Sequence, residues 1–133
     1  MAQGKVAVIR SDLDIVIART LARDTAKAMG FGAIDQARIA TAVSELARNI
    51  FLYAGTGSVS VREIERTGRK GIEIVCEDQG PGIMSIDLVM QDGYSTSRGM
   101  GMGLPGAKRL MDEFDIRSLE GQGTTITCRK WRT

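Results

Sequence analysis

The chain of 133 residues contains no histidine. That excludes a histidine nucleophile, a histidine general base, a histidine-ligated metal and phosphorylation of the chain on histidine. Its chemistry falls to carboxylates, amides, hydroxyls and backbone groups. Cysteine is scarce: Cys76 and Cys128 both sit in strand-like text. The expectation is two buried free thiols in a cytoplasmic protein, rather than a disulfide or a metal site. No apolar run approaches the ~18 residues of a membrane-crossing helix. The opening "MAQGKVAVIR" lacks the long apolar core of a secretory signal. No basic run is longer than "RK" and the formal net charge is +2, so nothing points to nucleic acid. Hydrophobic residues make up 43%, enough for one core, and a single domain over 1–133 is expected.

Glycine, by contrast, is concentrated. Residues 80–106 hold seven of the 16 glycines, where an even spread would put about three, so this span is built for bending or close approach. Within it, "STSRGMGMGLPGAKRLMDEF" runs from Ser95 to Phe114. A glycine-rich loop feeding a helix N-terminus favours a phosphate, because free N–H groups and the helix dipole both attract an anion. Pro105 fits the first turn of that helix, where no N–H is needed. Two familiar nucleotide motifs fail here. Gly101, Gly103 and Gly106 satisfy G-x-G-x-x-G, but "QDGYSTSRGM" before them is too polar and broken to be the required strand. A P-loop needs Lys and then Ser or Thr directly after its last glycine. Here Gly106 is followed by Ala107, Lys108 and Arg109.

The hydrophobic pattern orders the chain. "KVAVIR" (5–10) reads as a strand, and "SDLD" after it as a capping box on Ser11 and Asp14. A helix over 12–29 carries a stripe of Leu13, Val16/Ile17, Leu21 and Met29. A second helix over 34–53 has its stripe at Ile39, Val43, Leu46 and Ile50. "SVSVREIE" and "GIEIVCED" alternate as a hairpin around the longer basic turn "RTGRKG". An irregular span follows, with a short helix at "SIDLVMQ", then a helix over 102–113 and strands over 114–120 and 123–131. The fold class is α+β: a two-layer sandwich, a mainly antiparallel mixed sheet with helices on one face.

Four pieces stand in order: "ELARN" on the second helix, "EDQGPGI" at a strand end, "GMGMGLPG", and "GQGTT" before the last strand. Together they resemble the GHKL ATPase/kinase family, with its N box, two glycine boxes and terminal Gly-Thr. "SELARNIFLYAG", "EDQGPGI" and "GLPGAKRLMDEF" are most similar to its RsbT branch, the serine/threonine switch kinases of bacterial stress signalling. The resemblance spans almost the whole chain and implies the Bergerat ATP-binding fold, with ATP and Mg²⁺ as cofactors.

Residue by residue, it implies the following. Glu45 and Asn49 lie four apart on one helix face, away from the apolar stripe. By spacing alone they are either a solvated pair or part of a site. By resemblance Asn49 is the Mg²⁺ ligand, and Glu45 is the base or the carboxylate that orients the attacking group. Arg48, between them, is open between a salt bridge and a phosphate contact. Asp78 ends a row with Ile72, Ile74 and Cys76. It makes either an Asx turn or, by resemblance, the bond to the adenine amino group, with Gly80 and Gly82 admitting the base. Gly99, Gly101 and Gly103 would form the lid over the phosphates. Thr124 would contact phosphate or fix the network between Asp78 and adenine. Ser95, Thr96 and Ser97 stay unassigned, and Lys108 and Arg109 read as a solvated basic face.

The implied function is a serine/threonine kinase. It would phosphorylate STAS-domain antagonist and scaffold proteins of a stressosome-like complex. It would then be released to bind and activate an output enzyme such as a metal-dependent serine phosphatase. The alternative is a non-catalytic ATP-gated binding switch or anti-sigma factor of the same fold. A sensor-kinase ATP domain is not expected, since no dimerisation helix or phosphoacceptor histidine is present.

Overall fold

The computed structural model describes residues 4–80, 103–118 and 121–133. Gly82, Gly99 and Gly101, the hydroxyls of 95–97 and the helix expected at "SIDLVMQ" lie outside these. The elements run β1 (Lys5–Ile9), α1 (Asp12–Ala28), α2 (Ala33–Tyr53), β2 (Gly57–Arg66), β3 (Arg69–Asp78), α3 (Gly103–Leu110), β4 (Glu113–Ser118) and β5 (Thr124–Trp131). The order is the expected one. The strands form one sheet, β1-β2-β3-β5-β4. All of its neighbouring pairs are antiparallel, where a mixed sheet was expected. The reason is topological: β5 inserts between β3 and β4, so the crossover through α3 never makes its two strands neighbours. No described helix is long and apolar enough to cross a membrane.

The helices cover one face. Ala7, Ile9, Val59, Val61, Ile72, Ile74, Cys76, Ile126 and Cys128 point at them and are buried. Both cysteines are free, as expected. Burial pushes the Cys76 thiol well above its usual range and the Cys128 thiol up to about 12, so neither is a ready nucleophile.

α1 begins as its sequence suggests. The Ser11 hydroxyl oxygen accepts from the Asp14 N–H at 3.4 Å, and the Asp14 carboxylate reaches back to the Arg10 N–H at 2.9 Å. That bond, from the residue before the cap, is the main cause holding the Asp14 carboxyl below its ordinary value. The expected stripe holds only at Leu21 and Met29, which pack on the core. Ile15, Ala18, Ala22 and Ala26 face the core, whereas Leu13, Val16 and Ile17 are exposed at 66%, 42% and 49%. Alanines let α1 approach α2 and β1 closely, so the small residues take the inner face and the larger ones turn outward.

The hairpin turn is also tighter than expected. Arg66 pairs with Arg69, leaving two residues, Thr67 and Gly68, with φ of 50° and 81°. Positive φ at both central positions matches the right-handed twist of the flanking strands.

The solvent face of the sheet carries one row of alternating charge. Arg62, Glu73, Arg129 and Glu113 are successive cross-strand partners on β2, β3, β5 and β4. Glu73 accepts from Arg62 at 2.5 Å and from Arg129 at 2.8 Å. Arg129 also donates to Glu113 at 3.1 Å, and Arg66 closes on Glu113 at 2.7 Å. Beside this row Trp131, the only tryptophan, donates its Nε1–H to Glu113 and lies under the guanidinium of Arg66, 4.7 Å from the ring centre.

Burial tends to raise the Glu73 carboxyl, but the hydrogen bonds from Arg62 and Arg129 outweigh it and hold it below its ordinary value. A depressed carboxyl stabilises the fold above its unfolded value, and that contribution is lost as pH falls through the folded value. Glu73→Gln is therefore expected to cost about 1–2 kcal/mol at neutral pH. The difference should shrink towards zero as pH drops below the carboxylate range. Urea unfolding followed by Trp131 fluorescence measures it, and a cost that did not change with pH would remove the ion-pair explanation.

Candidate active site

One end of the sheet gathers the expected residues from four elements. Gly57, Asp78, Thr124 and Ser118 are successive cross-strand partners on β2, β3, β5 and β4. Their positions continue the row parity of the buried face, so they end the sheet on its helix-covered side. A Cβ on Gly57 would lie 2.6 Å from Ile50 Cγ2. The bare glycine therefore lets α2 settle against the strand end that bears Asp78, and this brings the second half of α2 over the site.

Asp78 does make the Asx turn: its Oδ1 accepts from the Gly80 N–H at 2.9 Å. This fixes the carboxylate while engaging one of its two oxygens. Gly123 takes φ of +87°, and a Cβ there would collide with the Asp78 carbonyl oxygen. Only glycine brings the start of β5 this close to the end of β3. Thr124 follows, 8% exposed, its hydroxyl 2.8 Å from that of Ser118. Ser118 also donates to the Gly123 carbonyl at 3.0 Å. Ser118 is the residue that sequence reasoning missed. It belongs to no motif, and only its register opposite Thr124 reveals it.

α2 contributes Glu45 and Asn49. They do not form a solvated polar face. Glu45 is buried and Asn49 half-buried, because α3 lands on this side of α2. The backbone N–H of Gly103, the first residue of α3, lies near enough to the Glu45 carboxylate to favour its charged form. Burial raises its carboxyl, while that N–H and the Arg48 charge pull it back part of the way. The Nδ2 of Asn49 is buried and has no hydrogen-bond partner, and the same is true of the Nε of Arg48. Two orphaned donors beside a carboxylate at a helix N-terminus suit a ligand rich in anionic oxygen. Among the described residues no group of three or more His, Cys, Asp or Glu could hold a metal ion. A divalent cation would depend on Asn49, phosphate oxygens and water, which is the habit of Mg²⁺.

So the structure brings Glu45, Asn49, Asp78, Gly80, Gly103 and Thr124 to one region, and Gly82, Gly99 and Gly101 lie outside the described residues. A five-stranded antiparallel sheet backed by helices, with these groups at one end, defines the class as a GHKL-type ATP-binding domain. Comparison with known proteins agrees. The family described as histidine kinase-, DNA gyrase B- and HSP90-like ATPase matches residues 34–132. The serine/threonine-protein kinase RsbT of Bacillus subtilis strain 168 is 58% identical over 123 residues, covering 92% of each chain. An anti-sigma F factor of Caldanaerobacter subterraneus is 31% identical over 101 residues, 71% of this chain and 69% of its own. In a crystal structure of a SiaB–SiaC complex from Pseudomonas aeruginosa, one chain superposes with a TM-score of 0.55 at 12% identity, covering 98% of this chain and 89% of that one. At that identity it carries the fold alone. The chain belongs to this ATPase family, as an ATP-using serine/threonine kinase of the RsbT type.

Asp78→Asn can keep one oxygen for the Gly80 N–H but turns the other, an acceptor, into an NH2 donor that cannot accept from an adenine amino group. It should fold normally and lose most of its ATP binding, measured with a fluorescent ATP analogue. Undiminished affinity would show that adenine is held elsewhere.

Proposed function

We propose that the chain transfers the γ-phosphoryl group of Mg·ATP to a serine or threonine of STAS-domain antagonist and scaffold proteins in a stressosome-like complex. It is then released to bind and activate an output enzyme, such as a metal-dependent serine phosphatase. The observation that carries this reading is the buried Glu45 carboxylate beside Asn49, seated at the N-terminus of α3. A carboxylate with a raised pKa is suited to take a hydroxyl proton, and phosphoryl transfer otherwise needs positioning and charge neutralisation. The B. subtilis relative, named a serine/threonine kinase at 58% identity, supports the acceptor class.

In this mechanism Asp78 and Thr124 hold the nucleotide base, with Ser118 fixing the Thr124 hydroxyl. The lid glycines, Gly103 among them, approach the phosphates. Asn49 holds Mg²⁺, which when bound supplies positive charge to the phosphate oxygens. The acceptor oxygen bonds to the γ-phosphorus, the bond from that phosphorus to the β–γ bridging oxygen breaks, ADP departs with the electron pair, and Glu45 takes the proton.

The second reading is a binding switch gated by ATP, and the anti-sigma F factors at 31–33% identity favour it. The two separate in one experiment: transfer of labelled γ-phosphate to a co-encoded STAS-domain protein by wild type and Asn49→Ala. The kinase reading expects label on a partner serine or threonine, and a loss of at least about a hundredfold with Asn49→Ala at unchanged fold. Bound ATP without transfer would leave the switch.

A further inference from the structure

We infer that Arg48 is a further catalytic residue of this site, the side chain that binds the γ-phosphoryl oxygens of ATP. This rests on the kinase reading above and deepens it.

The other arginines with described contacts spend their guanidinium groups visibly. Arg38, Arg62, Arg66, Arg117 and Arg129 donate to carboxylates, and Arg132 to the Met29 carbonyl. Arg48 does not: its Nε is buried and has no hydrogen-bond partner. A charged donor out of water without an acceptor is costly, and such groups in folded proteins call for a ligand or a chemical role. At about 100° per residue on the helix, Arg48 sits about 60° to one side of Glu45 and Asn49 about 40° to the other. Glu45 is thus flanked by the two orphaned donors of α2. The Arg48 charge is close enough to act on the Glu45 carboxyl, and so is the first N–H of α3. Arg48 therefore reaches the end of the site where the phosphates belong.

The chemistry of the surroundings selects the ligand. Arg48 Nε and Asn49 Nδ2 only donate, so the missing partner offers oxygens. A carboxylate from a protein partner would bring one negative charge against Glu45 with nothing between. A terminal phosphoryl group arrives with its cation and presents three oxygens, a match for a guanidinium fork. As the acceptor oxygen bonds to the γ-phosphorus and ADP leaves with the electrons of the broken bond, charge spread over those oxygens is held against Arg48.

Three readouts on the full chain test this. Fluorescent Mg·ATP and Mg·ADP analogues report binding without turnover. Arg48→Ala should weaken ATP about tenfold or more and leave ADP within about twofold, and Arg48→Lys should recover only part, since it keeps the charge without the fork. The thermal midpoint of nucleotide-free Arg48→Ala should stay close to that of wild type, because Nε has no bond to lose and only the attraction between the Arg48 charge and Glu45 goes with it. Transfer to the STAS protein should fall about 10³-fold in kcat, partly restored by free guanidinium. An unchanged ATP-to-ADP preference in Arg48→Ala overturns the inference, as does a clear drop in its midpoint. So does a rise confined to the KM for the protein substrate, which would make Arg48 a docking residue. If wild type binds nucleotide but transfers nothing, the kinase reading falls while the ATP-to-ADP ratio still decides Arg48. If wild type binds neither nucleotide, both fall.

Discussion

The nucleotide end of this protein is organised around one buried charge, the Glu45 carboxylate of α2, with the backbone N–H of Gly103 near enough to favour its charged form. Taking a carboxylate out of water is unfavourable unless donors meet it. Here the nearby N–H is the first of α3, at the end where that helix's dipole is positive. The two residues are 58 positions apart, and they lie where α2, which carries the polar groups, packs on α3, which ends the glycine-rich span. An arriving phosphate would compete with Glu45 for the same N–H.

The other end of the sheet holds the helix in place so that this competition stays local. Lys130, buried on β5, donates to the Leu110 carbonyl at the last turn of α3 at 2.9 Å and lies 3.6 Å from Asp112 and 3.9 Å from Asp35 at the start of α2. The Trp131 N–H donates to Asp112 at 2.8 Å. Next to these run the Arg62–Glu73–Arg129–Glu113 row and the Arg66–Trp131 stack. α3 is therefore pinned at its C-terminal end to the most heavily cross-linked part of the sheet. Its N-terminal end packs on α2 beside the Glu45 carboxylate.

What could be read from the sequence, and what could not, follows from the range of each cause. The hairpin, the element order and the Ser11–Asp14 cap are local, and their residues state them. Asp78 at the end of a buried row is a matter of strand parity, and parity is visible in "GIEIVCED". The inner face of α1 was not legible, because a count of apolar residues favours Leu13, Val16 and Ile17. Burial instead follows from how near a neighbouring helix can come, which favours Ala18, Ala22 and Ala26. The burial of Glu45 was not legible either: i,i+4 spacing fixes a face of α2 but not that α3 will cover it. Ser118 depends on register with β5, which no local pattern encodes. The four ordered motifs named the candidate residues, and the long-range contacts decided the environment of each.

The absence of histidine acquires its meaning here. With a carboxylate as the available base and hydroxyls as acceptors, the product is a phosphate monoester. Monoesters hydrolyse among the slowest of uncatalysed biological reactions. A mark made by such a site does not decay on the timescale of signalling, and another enzyme has to remove it. The kinase can also be small, since phosphoryl transfer asks for positioning and charge rather than for a covalent intermediate. A chain of 133 residues that uses one helix for its carboxylate, amide and guanidinium and one strand end for the base has little surface committed to anything else. Specificity for a protein substrate must then come from the partner's fit to the rim around α2 and α3.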